Sequence, residues 1–104
     1  MGLNHVTLEN EAGKRIGELV ADPGVLDSLL AEAEQHPEFE VLREIDPYGY
    51  TVFNRSQIER FLHAWNALLG RAQTSAQQSV IKEVASLAQR CQNQPHLYLR
   101  FHGD

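Results

Sequence analysis

Residues 46–54 read DPYGYTVFN, a turn signal that runs into a β-rich stretch and ends on an asparagine. Asp46, Pro47 and Gly49 stand where a type I turn takes Asp first, Pro second and Gly fourth. Gly49 in the left-handed region would add the bulge that closes a three-residue hairpin loop. On this reading residues 39–45 are the outgoing strand, alternating Phe39, Val41, Arg43 and Ile45 against Glu40, Leu42 and Glu44. Tyr50, Thr51, Val52 and Phe53, aromatic and β-branched, are the returning one. The register would set Asp46 opposite Tyr50 and Ile45 opposite Thr51. Asn54 is a favoured helix N-cap, and Gln57 three residues on completes a capping-box pair.

The helix this cap opens carries Ile58, Phe61, Leu62, Trp65, Leu68 and Leu69 at steps of three and four, the strongest periodicity in the chain. A second helix, starting at Thr74 or Ser75, places Val80, Val84, Leu87, Ala88 and Cys91 on its inner face. Two amphipathic helices joined by a short link predict an antiparallel α-hairpin.

On the N-terminal side, residues 3–9 and 15–20 are β-favouring runs joined by a Gly-containing loop, which reads as a hairpin. Asp22, Pro23 and Gly24 end it. Val25, Leu26, Leu29, Leu30 and Ala33 then mark a helix that stops near Gln35 and His36, because the residue before Pro37 is pushed out of the α region. At the other end of the chain, Leu97, Leu99 and Phe101 alternate with His96, Tyr98, Arg100 and His102, a strand with one face in the core. The order β-β-α-β-β-α-α-β predicts an α+β fold, a mainly antiparallel sheet with helices packed on one face.

The length of 104 residues suits one domain, 1–104, with one core. Apolar residues at 42% and charged residues at 22% are ordinary globular usage. The apolar runs are too short to span a bilayer. The start MGLNHVTLEN lacks a secretory leader, and Val6 sits where a myristoylation motif needs Ser or Thr. A cytoplasmic location is expected. The net charge of -5 is unevenly spread: residues 9–46 hold eleven acids against three bases, and residues 47–104 three acids against six bases. An acidic chain argues against direct nucleic-acid binding, which needs concentrated basic surface. The acidic half is either a face for a basic partner or simply solvated surface.

No catalytic constellation emerges, so no enzyme and no cofactor are expected. His5, His36, His63, His96 and His102 are scattered, without the pairing that puts two metal ligands on one helical face. The single cysteine, Cys91, occupies an inner helical position and reads as a small hydrophobe. No GxSxG elbow or phosphate loop is present. Asn54, Arg55 and Ser56 match a glycosylation sequon, yet capping explains the asparagine. Trp65 lies on the core stripe of its helix. What stands out is the polar side of the strands and turn: Tyr48, Tyr50, Tyr98, Arg100 and His102. Tyr and Arg are enriched at interface hot spots, which makes these five the candidate partner-binding residues.

The phrases LREIDPYGYTVFN at 42–54, Gln57 with Phe61 and Trp65, and HLYLRFHGD at 96–104 resemble a group of short bacterial proteins, mostly of unassigned function. Some of those are similar to immunity partners encoded beside polymorphic or contact-delivered toxins. An acid is expected where Tyr50 stands. The resemblance implies a small cytoplasmic protein that binds one cognate toxin, a basic one if the acidic net charge steers it, and neutralises it by direct contact. The rival expectation is a non-enzymatic interaction module that self-associates, a homodimer, through an open sheet edge.

Overall fold

In the computed structural model, which describes residues 2–22 and 24–103, the fold is α+β. Met1, Pro23 and Asp104, with the part of the 22–24 turn reading that rests on Pro23, lie outside the described residues. The strands are β1 (His5–Asn10), β2 (Arg15–Val20), β3 (Tyr50–Phe53) and β4 (Leu97–His102). The helices are α1 (Val25–Glu34), α2 (Arg55–Ala67) and α3 (Ser75–Asn93). All strand pairs are antiparallel, in the order β2-β1-β4-β3. The two central strands are thus the first and last of the chain, and β2 and β3 are the edges.

Alternation decides which face of the sheet is buried. Val6 and Leu8 of β1, Leu97, Leu99 and Phe101 of β4, and Phe53 of β3 point into one hydrophobic core. The α2–α3 pair covers that face, α3 packing on β1, β2 and β4 and α2 on β3. Trp65 donates from Nε1 to the Ile81 carbonyl at 3.0 Å, and Arg55 from Nε to the Gln92 carbonyl at 3.2 Å. Stepping back along α2 therefore steps forward along α3, as an antiparallel hairpin requires. Phe61 is the centre of its aromatic packing: ring centroids lie 4.8 Å from Phe53, 5.4 Å from Trp65 and 5.6 Å from Phe101. The caps follow the sequence reading. Asn54 accepts from Gln57 N–H while the Gln57 side chain accepts from Asn54 N–H, and Thr74 accepts from Gln77 N–H.

Residues 39–45 overturn the expected outgoing strand. Pro37–Glu44 is a 3-10 helical segment with Pro in its first turn, packed on α1 and α2. Its buried residues are Phe39 and Leu42, followed by Ile45, a spacing of three rather than two. The segment is two short 3-10 turns that meet at a kink at Phe39 and end at the extended Ile45, and a spacing near three keeps all three side chains turned to the core. The alternating pattern that suggested a strand placed Arg43 inward and Leu42 outward; burying Leu42 is the better solution. With the outgoing strand goes the hairpin: Tyr50 pairs with His102 and Thr51 with Phe101 instead of with Asp46 and Ile45.

The turn at 46–49 survives, built differently. Tyr48 N–H donates to the Asp46 carboxylate at 2.9 Å, an Asx turn, and Gly49 N–H reaches the Asp46 carbonyl at 3.4 Å. Among the described residues the positive-φ ones are Gly2, Gly13, Gly24 and His96, so Gly49 is not left-handed.

Candidate functional site

The helices leave the second face of the sheet uncovered, and the register sets its residues in rows. One row runs Val20, His5, His102, Tyr50, from β2 across β1 and β4 to β3. The next runs Glu18, Thr7, Arg100, Val52, and a third Arg15, Glu9, Tyr98. Every strand contributes, and the polar residues sit mainly on the two central strands.

Within these rows the polar groups bind one another. Thr7, fully buried, donates its hydroxyl to Glu9 Oε2 at 2.6 Å and lies 2.8 Å from His102 Nε2. A hydroxyl has one proton, and the carboxylate can only accept it, so His102 is the donor through Nε2–H. The imidazole of His5 stacks on that of His102 at 4.0 Å between centroids, and Tyr50 meets His102 edge-on at 5.3 Å. The Arg100 guanidinium lies 5.6 Å from the centre of the Tyr50 ring, within cation–π range. Its Nε is 3.4 Å from Glu9 Oε1, a Coulombic contact without hydrogen-bond geometry. His5 Nε2 is similarly placed 3.3 Å from Glu18, which Arg15 also engages at 3.1 Å.

His102 holds its proton less readily than an ordinary imidazole. Burial is the main cause, reinforced by the neighbouring His5 and by the positive charges of Arg15 and Arg100; the Glu9 carboxylate opposes them. Near neutral pH it is therefore uncharged, and the one buried acid of the face, Glu9, draws its compensation from Thr7 and Arg100.

Four of the five candidate residues, Tyr50, Tyr98, Arg100 and His102, come together on this face. Tyr50 is 68% exposed at its rim, Tyr98 and Arg100 are half-buried, and His102 is closed in by its neighbours to 9%. Tyr48 stands apart. It is exposed on the turn and lines a separate depression with Leu30, Leu42 and Ile45. The sequence reading missed His5, Thr7 and Glu9. Their signal was the same alternation that reads β4, since Val6 and Leu8 facing the core send His5, Thr7 and Glu9 to the other side.

Elsewhere, a broad groove of about 980 Å³ runs between the 3-10 segment and α2, lined by Glu38, Glu40, Glu44, Glu59, Arg43, Arg60 and His63 among others. It belongs to the helical layer, so the acids of α1 and the 3-10 segment lie on a different surface from the open sheet face, which takes only Glu9 and Glu18 from the acidic stretch. Cys91 is buried against the Leu97 carbonyl, and burial pushes its thiol up, away from the reactive thiolate. Among the described residues, no cluster of three or more His, Cys, Asp or Glu is arranged to hold a metal ion, and no helix is long and apolar enough to cross a membrane. No family model, no curated protein and no solved structure matches this chain.

Proposed function

We propose that this protein is a non-catalytic binding protein whose ligand is another protein, held against the open face of the sheet around Tyr50, Tyr98, Arg100 and His102. One observation carries the reading: residues from the middle and the end of the chain converge on a single uncovered face at whose centre Thr7, Glu9 and His102 hydrogen-bond one another. Covering such a face costs little, because few hydrogen bonds to water are lost without replacement. Tyr50 and Val20, both largely exposed at opposite ends of one row, supply apolar contact area at the rims.

The resemblance to toxin-immunity partners gives the reading its concrete form. The protein acts in the cytoplasm as an immunity-like partner that neutralises a cognate bacterial toxin by direct contact and performs no chemistry of its own. Its net charge of -5 would speed encounter with a basic toxin. Co-expression with the product of the neighbouring reading frame is the test. The expected result is a complex that survives gel filtration and relieves that product's toxicity. A pair that neither binds nor protects overturns the proposal.

A further inference from the structure

We infer that β3 is a self-pairing edge, through which two copies of this chain join their sheets into one continuous antiparallel sheet. The two edges of the sheet are not alike. Edge strand β2 carries Arg15 and Glu18, and its pairing with β1 is broken by a bulge at Leu8 and Glu9, the devices that discourage edge-to-edge association. β3, Tyr-Thr-Val-Phe, has no charge, no proline and no bulge.

The phase of its ladder decides what this edge offers. Gly103 N–H donates to the Gly49 carbonyl at 2.6 Å, bracketing the Tyr50–His102 pair. In the antiparallel alternation Tyr50 and His102 are then a non-hydrogen-bonded pair, as are Val52 and Arg100. Thr51 and Phe53 spend their backbone groups on β4, while Tyr50 and Val52 turn theirs to the free edge. The preceding loop does not shield them. It tucks under the core side, where the Asp46 N–H reaches Thr51 Oγ1 at 2.8 Å and the Asp46 and Pro47 carbonyls lie against Gly103.

These outward groups are complementary to themselves in one register. A two-fold axis perpendicular to the sheet and passing beside Thr51 sets Tyr50 opposite Val52 of the second copy, and Val52 opposite its Tyr50. Each pair exchanges two N–H···O bonds, so all four outward donors find the four outward acceptors. On the open face the same pairs stack an aromatic ring against a β-branched side chain twice, a favourable cross-strand combination. A one-residue slip would set open-face positions against core-face positions. A two-residue slip would need either the Asn54 N–H, already held by Gln57 Oε1 at 2.9 Å, or the Tyr48 N–H, already held by Asp46 Oδ1 at 2.9 Å. The antiparallel arrangement also brings the Asp46 end of each strand toward the Arg55 end of the other. Both open faces then lie on the same side of the joined sheet, so the pairing leaves them open to the partner proposed above, with Tyr50 at the junction of the two surfaces.

Sedimentation equilibrium over a concentration series tests the inference. The wild-type mass should rise from monomer toward dimer. Val52→Pro, which deletes an outward donor and the Val52–Tyr50 contact but no bond to β4 and is tolerated on an edge strand, should stay monomeric with a cooperative thermal melt; Val20→Lys, on the opposite edge, should associate as wild type does. Should Val52→Pro fail to fold, Thr51→Cys decides. The two Thr51 positions face each other as a non-hydrogen-bonded pair with Cα atoms about 4.5 Å apart, within disulfide span, and Cys91 is too buried to compete. An oxidised Thr51→Cys protein that runs as a dimer supports this register. A wild-type chain that stays monomeric at every concentration, a folded Val52→Pro that still dimerises, or a Thr51→Cys that does not cross-link overturns it.

Discussion

Thr7 and His102 show how an uncovered sheet face can be both polar and quiet. The Thr7 hydroxyl accepts from His102 and donates to Glu9, with no exposure of its own. Thr7→Val keeps the shape and removes both bonds, leaving Glu9 Oε2 and the His102 Nε2–H without their hydrogen-bond partner. A loss of about 1–3 kcal/mol in urea unfolding is expected, and a loss below a few tenths would mean that the side chains rearrange around the missing hydroxyl. The pH dependence follows from the direction of the His102 shift. Its folded affinity for a proton lies below that of the unfolded chain, where histidine titrates near 6.5. The unfolded state therefore binds more protons as the pH falls through that value. The stability His102 contributes is complete above it and is lost as the pH drops toward the folded value. Between pH 7.5 and 5.5, wild type should lose more unfolding free energy than His102→Gln; equal losses would locate the titration in other histidines. The half of this site on β4 was legible because Leu97, Leu99 and Phe101 fix the outward phase of Tyr98, Arg100 and His102. The half on β1 required knowing that the first and last strands are neighbours, and no local pattern encodes that contact.

The helices illustrate which elements a sequence specifies strongly. Asn54 with Gln57, and Thr74 with Gln77, start α2 and α3 where capping chemistry places them, and apolar steps of three and four fix their inner faces. Asn54→Ala removes an acceptor from the Gln57 N–H and should cost about 1 kcal/mol, read as a lower denaturation midpoint with an unchanged slope. The 3-10 segment was the illegible element. A period of three falls between those of strand and α-helix, and PEFEVLRE alternates well enough to imitate a strand. The turn after it was identified by residue type, but its glycine serves space rather than handedness. A Cβ on Gly49 would meet only the movable Asp46 carboxylate at 2.9 Å, whereas a Cβ on Gly103 would drive into the backbone carbonyls of Asp46 and Pro47. Gly103→Ala should therefore lower the melting temperature more than Gly49→Ala, the former by an overpacking cost of about 1–3 kcal/mol. The reverse order would show that the C-terminal end of β4 yields more easily than the turn.

As a whole the molecule divides its surface by layer. The helical side carries the acidic residues of α1 and the 3-10 segment, partly tied down by Arg71, which lies 3.5 Å from both Glu32 and Glu38. The sheet side carries the interlocked polar rows with Tyr50 and Val20 at their ends. On the proposed function, charge on the helical side would act at long range, through encounter rate, and its effect should fade with added salt. On the same reading, contact on the sheet side would act at short range and set how long a complex lasts. The central claim is that the open sheet face is the one that holds a protein partner. Calorimetric titration of the neighbouring reading frame's product tests it most directly, comparing wild type with Tyr50→Ala and Tyr98→Ala, and with Glu38→Lys and Glu40→Lys as helical-side controls. Truncating the tyrosines should weaken binding by about tenfold or more, the scale of an interface hot spot, while the lysine variants bind within a few-fold of wild type at physiological salt. Tyrosine variants that bind as wild type does, with affinity lost instead in the lysine variants, would contradict the account.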